Sequence, residues 1–180
     1  CYNIISSLFR FVIFVKIYKM QNFKIRKARI NDSKSILKLI KELAEFENEP
    51  NAVKLKVEDV EIDGFGPEPK FNCFVVEASG SIVGMALYYP RYSTWHGQTL
   101  HLEDLIVTKN HRGEGVGKML YTAFINEALA NGLNRVDWAV LNWNKPAIKF
   151  YESTGANILK DWRTVQMTRK GMIKFINSNN

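Results

Sequence analysis

The chain predicts an α+β fold, a mixed central β-sheet flanked by helices. Three features of its 180 residues carry that prediction. Strand-like segments come first and alternate with helices only later. A glycine-rich turn, Arg112-Gly113-Glu114-Gly115-Val116-Gly117-Lys118, joins a strand-like segment to a helix-like one. A further helix, opened by Asn144 and closed by Gly155, follows another strand. Apolar residues make up 46% of the chain and charged residues 24%, the balance of an ordinary globular domain. The length suits one domain with a substantial core.

Each element has a local reason. Phe23–Ala28 reads as the first strand. Asn31-Asp32 then caps a helix whose Ile36, Leu39, Ile40 and Leu43 follow a helical period. Val57–Ile62 reads as a short second helix before the Asp63–Pro69 loop. Asn72–Ala78 and Ser81–Tyr89 flank Ser79-Gly80 as a hairpin, and Thr99–Val107 is the next strand. Val116–Ala130 is a helix stopped by Asn131-Gly132, and Arg135–Leu141 a strand. Asn144 is a natural N-cap, Pro146 fits a first helical turn, and Gly155 suits a left-handed stop. A final strand is expected near Trp162–Thr168.

The first nineteen residues stand apart. Ile4-Ile5, Leu8-Phe9 and Phe11–Val15 are apolar, but Arg10 and Lys16 interrupt them. The run is too short and too charged to span a bilayer, and no small-residue cleavage site follows. Residues 1–19 are therefore expected to lie outside the native domain, with Met20 as its start and residues 20–180 as the domain. A weak membrane-associating anchor is the alternative. Of the formal net charge of +7, Arg10, Lys16 and Lys19 supply three with no acid among them, leaving +4 from Met20 onward. That balance suits a phosphate-bearing ligand. No basic stripe interleaved with aromatics is present, so nucleic acid is not an expected partner. Cys1 and Cys73 form no CxxC pair and point to a reducing, cytoplasmic location. His96, His101 and His111 lack metal-site spacing, so no metal is expected.

The glycine loop carries the most chemistry. Alternating glycines after an arginine let several N–H groups point one way, and the following helix adds the positive end of its dipole. A P-loop is excluded, because Arg112 stands where a glycine is required and Met119 where Ser or Thr is. A dinucleotide fingerprint is excluded by Val116 and Leu120. What remains, Arg-Gly-x-Gly-x-Gly, resembles the acyl-CoA pyrophosphate loop of the GNAT superfamily of N-acetyltransferases. The Asn142–Ala156 segment extends the likeness, since Asn144 and Tyr151 are seven apart and share one helix face.

Further segments narrow the resemblance. Leu102-Glu103-Asp104-Leu105-Ile106-Val107, Glu42-Leu43-Ala44-Glu45-Phe46-Glu47, Asp63-Gly64-Phe65-Gly66 and Asn142-Trp143-Asn144 look like the diamine (spermidine/spermine) N-acetyltransferase branch. The similarity runs from about Phe23 to about Arg169. Phe46 stands where that branch usually has tyrosine, and Asn142 where an acid is common.

The resemblance implies a GNAT fold with acetyl-CoA bound at a splayed strand pair, and it assigns roles. Arg112, Gly113, Glu114, Gly115, Val116, Gly117 and Lys118 would hold the pyrophosphate. Leu105, Ile106 and Val107 would meet the acyl end through their backbone, and Asn144, Pro146 and Ala147 the pantetheine arm. Tyr151 would protonate the departing thiolate, with Phe150 as a core aromatic. Glu103 would receive the proton of the amine, while Phe46 and Glu47 would hold the amine chain. Strand alternation places Asp104 on the opposite sheet face, as a structural residue. The Glu58, Asp59, Glu61 and Asp63 run reads mainly as a solvated face. The expected substrate is a polyamine or diamine such as spermidine or spermine. The alternatives are a lysine-like amino acid or peptide amine, and a CoA-binding regulatory module without catalysis. A homodimer is expected by family analogy.

Overall fold

The computed structural model describes residues 23–178. Two compact units divide between Ala139 and Val140. The expectation for residues 1–19 falls outside the described residues.

The first unit holds one five-stranded sheet in the order β1-β2-β3-β4-β5. Its strands are β1 (Phe23–Lys27), β2 (Asn72–Ala78), β3 (Ser81–Ser93), β4 (Gly97–Val107) and β5 (Val136–Trp138). The first four pair antiparallel, and β5 pairs parallel to β4. Helices α1 (Ser33–Phe46) and α2 (Val57–Phe65) cover one face, and α3 (Val116–Ala130) covers the other. On the α3 side Phe74, Val76, Ala86, Tyr88, Leu100 and Leu102 pack with Val116, Leu120 and Phe124. On the α1 side Val75, Met85, Leu87 and Ile106 pack with Ile36, Leu37, Leu39 and Val60. Burial on both faces accounts for the near-continuous apolar run in β2.

The β2–β3 hairpin turns through Ser79 at φ +49° and Gly80 at φ +76°, the pair of left-handed residues that a two-residue primed turn needs. Asp32 departs from the expected cap. Its carboxylate turns back to accept the Arg29 N–H at 2.8 Å and two Arg26 guanidinium bonds at 2.6 and 3.0 Å. The first of those Arg26 bonds is the main reason its pKa lies below the usual carboxylate range.

The register of β4 carries the feature that matters most for function. Leu87 pairs with Asp104, but the next residue, Tyr88, pairs with Leu102, so Glu103 is an extra residue in β4. Leu102 and Leu105 both pack on the α3 side, which puts the two residues between them on the α1 side. The expected alternation of Glu103 and Asp104 is therefore corrected: the β-bulge aims both carboxylates at one face.

In the second unit, α4 (Lys145–Ser153) and α5 (Arg169–Asn177) are the regular elements. The expected strand over 135–141 shortens to Val136–Trp138, three residues paired with Leu100–Leu102. No strand forms at Trp162–Thr168. Among the described residues that stretch has no ladder partner, and Trp162, Val165 and Met167 stay exposed. Without a partner to satisfy its backbone, apolar patterning alone does not make a strand. Thr168 instead caps α5, its Oγ1 accepting the Gly171 N–H at 3.3 Å. No helix among the described residues is long and apolar enough to cross a membrane.

Candidate active site

The glycine loop leaves the end of β4 through a short 3-10 turn, Lys109–His111. Gly113 sits at φ +77° and Gly115 at φ +92°, a left-handed region that side chains with a Cβ enter at a cost. A Cβ built on either would meet nothing within 4 Å. Conformation rather than crowding is thus what requires glycine here, and the side of the loop they face is open. The first helical bond of α3 runs from Met119 N–H to the Gly115 carbonyl at 3.0 Å. The N–H groups of Val116, Gly117 and Lys118 therefore precede the helical ladder and point out of the helix start.

Arg112 is held in place twice. Its Nε donates to the Val107 carbonyl at 3.0 Å, and its guanidinium lies over the Phe46 ring at 5.0 Å. Glu42 Oε1 accepts the Lys109 N–H at 3.0 Å, and His111 Nδ1 lies 3.0 Å from Glu114 Oε2. The end of α1 thus props the loop. Phe46, expected at the amine, has its ring under Arg112. This cluster of N–H donors, a helix start and an anchored guanidinium fits a pyrophosphate group. The pairing of β4 with β5 stops at Leu102, so the β5-facing edge of Glu103–Val107, including Leu105, Ile106 and Val107, has no strand partner among the described residues.

On the α1 face of the same strand the bulge gathers acid. Tyr89 Oη donates to Glu103 Oε2 at 3.0 Å, and His101 Nε2 lies 3.7 Å from the same oxygen. Asp104 is half-buried, and its pKa is pushed up to about 6 by burial, then by the charges of Glu103 and Glu47. Glu47, just past the end of α1, is also raised by desolvation. Three carboxylates from two elements therefore share one field, which is attractive to a cation. The sequence reading chose Glu103 and Glu47 and set Asp104 on the other face, because no residue type announces the bulge that turns it to this side. Among the second acidic run, Asp59 caps α2 by accepting the Lys56 N–H at 2.8 Å, a structural use.

The polar face continues toward β5. His101 Nδ1 lies 2.8 Å from Asp137 Oδ1, the Arg91 guanidinium donates to that oxygen, and Arg135 reaches Oδ2 at 3.4 Å. Burial pulls the Asp137 pKa up, but the His101 bond and the Arg91 charge outweigh it and hold it low. No three His, Cys, Asp or Glu groups among the described residues converge as metal ligands.

In the second unit, Asn144 Oδ1 accepts the Ala147 N–H at 3.3 Å and caps α4, with Pro146 in the first turn. Gly155 closes it at φ +89°, with the Ala156 N–H returning to the Tyr151 carbonyl at 3.2 Å. Tyr151 is the buried residue of α4, and its ring centroid lies 5.4 Å from that of Phe150.

A mixed five-stranded sheet whose fourth strand runs through a glycine loop into a helix defines a CoA-dependent acyltransferase class. Residues 37–156 match the Acetyltransferase (GNAT) family, and the chain belongs to it; it is an N-acetyltransferase. A thialysine N-epsilon-acetyltransferase of Mus musculus is 40% identical over 150 residues, covering 79% of this chain and 88% of that protein. The human spermidine/spermine N(1)-acetyltransferase-like protein 1 is 36% identical over 164 residues, 86% of this chain but 24% of that longer protein. Among solved structures, an integron cassette protein from the mobile metagenome of V. cholerae shares the fold at TM-score 0.71 and 19% identity. That match covers 86% of this chain and 98% of the other.

Proposed function

We propose that this enzyme acetylates the side-chain amine of a lysine-like amino acid, by direct transfer from acetyl-CoA in a ternary complex. The carboxylate trio of Glu47, Glu103 and Asp104 at the β4 bulge, beside the open strand edge, is the observation that carries the reading. The similarity to thialysine N-epsilon-acetyltransferases moves the preference from the polyamine expected first to the lysine-like alternative. A polyamine is the second reading, supported by the spermidine/spermine-like relative and by the same three acids. Membership of the acetyltransferase family removes the ground for a non-catalytic CoA-binding module.

Acetyl-CoA, when bound, supplies an acetyl group activated as a thioester. The loop N–H groups of Gly113–Lys118 and the Arg112 guanidinium hold its pyrophosphate, and Asn144, Pro146 and Ala147 line its pantetheine arm. Backbone donors of Leu105–Val107 would meet the acyl end, where charge builds on oxygen during transfer. An alkylamine with a pKa around 10.4 is almost wholly protonated at pH 7, so a proton must leave before attack. Glu103 takes that proton at its carboxylate, with Asp104 and Glu47 holding the cation beside it. Tyr151 Oη returns a proton to the leaving sulfur. The same reading carries a cytoplasmic homodimer that binds neither nucleic acid nor membrane, and sedimentation of the purified chain tests the dimer.

Thiol-release kinetics with thialysine, lysine, ornithine, spermidine, spermine and short peptides test the proposal. The expected order places lysine-like amino acids above polyamines in kcat/KM. The reverse order would restore the polyamine reading, and preference for peptides would reject both.

A further inference from the structure

We propose that Arg91 selects the amino-acid substrate by binding its α-carboxylate, with Asp137 receiving the α-ammonium. The inference rests on the lysine-like reading above and names the residue that would separate such a substrate from a diamine. Its basis is the distribution of charge along one sheet face. At the bulge end stand Glu103, Asp104 and Glu47, all acids. At the other end, Arg91 of β3 and Arg135 share the single carboxylate of Asp137, which also meets His101. Two guanidiniums on one carboxylate leave a surplus of positive charge. A polyamine, cationic along its whole length, offers Asp137 an ammonium but brings no anion for the two guanidiniums, so it gains less from that end than a substrate bearing a carboxylate.

A zwitterionic head fits it. The Arg91–Asp137 pair offers a donor fork and an acceptor side by side, the complement of an α-carboxylate next to an α-ammonium. The guanidinium is reachable, since the Arg91 side chain is 52% exposed. The spacing also agrees. Asp137 is level with His101 in the β4–β5 register, two residues from Glu103 along β4. His101 bridges the step, its Nδ1 2.8 Å from Asp137 and its Nε2 3.7 Å from Glu103, so the two carboxylates stand one imidazole ring apart, a separation that the five-bond side chain of a lysine-like molecule spans. Glu103 would then sit at the reacting nitrogen while Arg91 holds the far end. His101, in contact with both Glu103 and Asp137, is the floor between them.

The test is a four-way comparison: the parent enzyme and Arg91→Met, each with thialysine and with thialysine α-carboxamide. In the parent, the amide should lose about tenfold to hundredfold in kcat/KM, chiefly through KM, as expected for one charge-assisted contact. Arg91→Met should impose the same loss on thialysine and leave the amide within about twofold, so that the parent's discrimination collapses. Arg91→Lys should restore part of it. The substitution leaves Asp137 paired with His101 and Arg135, so the face keeps its local support. If Arg91→Met does not fold, the parent's acid-to-amide ratio and Arg91→Lys still decide. Equal loss on both substrates, or a parent indifferent to the carboxylate, would overturn the inference and leave the lysine-like reading standing. A parent that acetylates only diamines would reject that reading itself.

Discussion

The two halves of this site that lie in the first unit are built by different devices. The glycine loop is a backbone object: two left-handed glycines, Gly113 and Gly115, a helix start, and one arginine pinned by the Val107 carbonyl and the Phe46 ring. Its ligand groups are mostly N–H donors, whose positions follow from the chain's path. The amine side is a side-chain object. Glu103 and Asp104 face the same way only because one extra residue interrupts the β4 ladder, and Glu47 joins them from another element. The first device depends on which residues are consecutive, the second on how strands pair.

Substitutions that act on one device and spare the other test this contrast. The largest effects belong to proton transfer. Glu103→Gln and Tyr151→Phe should each lower kcat by about 10²–10⁴-fold, with acetyl-CoA affinity kept within a few fold. Glu103→Gln should recover part of its rate at high pH, where free amine is abundant. A kcat near the parent's in Tyr151→Phe would return Tyr151 to a core role.

The loop comes next. Arg112→Ala combined with Gly115→Val should weaken acetyl-CoA binding by about tenfold to hundredfold, by losing a charged partner and straining a left-handed position. Titration calorimetry on the folded double variant checks it, and unchanged affinity would remove the pyrophosphate assignment.

Asp104→Asn should touch stability in a pH-dependent way. Its folded-state pKa of about 6 lies above the ordinary value of 3.8, so the folded state holds the proton more tightly. Stability contributed by the protonated carboxyl is complete below about pH 4 and lost as pH rises through 6. Asparagine escapes that loss. The variant should be more stable than the parent by about 1–3 kcal/mol above pH 7, with the added stability fading below pH 4. Chemical denaturation at both pH values measures it. The smallest effect is expected from Phe46→Tyr, because the ring lies under Arg112; KM for the amine should move by about twofold or less.

Much of this was legible in the sequence. The hairpin at Ser79-Gly80, the α1 and α3 faces, the Asn144 cap and the glycine loop were written in consecutive residues, and each forms as expected. Glu103 and Glu47 were legible through family likeness. Asp104 was not, since alternation is the default for a strand and a bulge is fixed by pairing with β3. Nor was the second use of Phe46 under Arg112, a contact between residues far apart in the chain. Trp162–Thr168 misled for the converse reason: its residue types suit a strand, but the ladder that would hold it is absent among the described residues. The Arg91–Asp137–His101 face was invisible too, because it draws one residue from each of three strands.

The claim that the bulge makes Glu103 and Asp104 one working acid cluster is tested most directly by the pH profile of kcat/KM for thialysine. Measured from pH 5 to 9 in the parent and in Asp104→Asn, it reports the titration of the free enzyme. In the parent the profile should steepen below about pH 6, where protons return to the cluster. In Asp104→Asn that break should disappear from the measured range, because the carboxyl that burial and its acidic neighbours hold near pH 6 is gone. A break that stays at pH 6 in the variant, or a parent profile without one, would contradict the account.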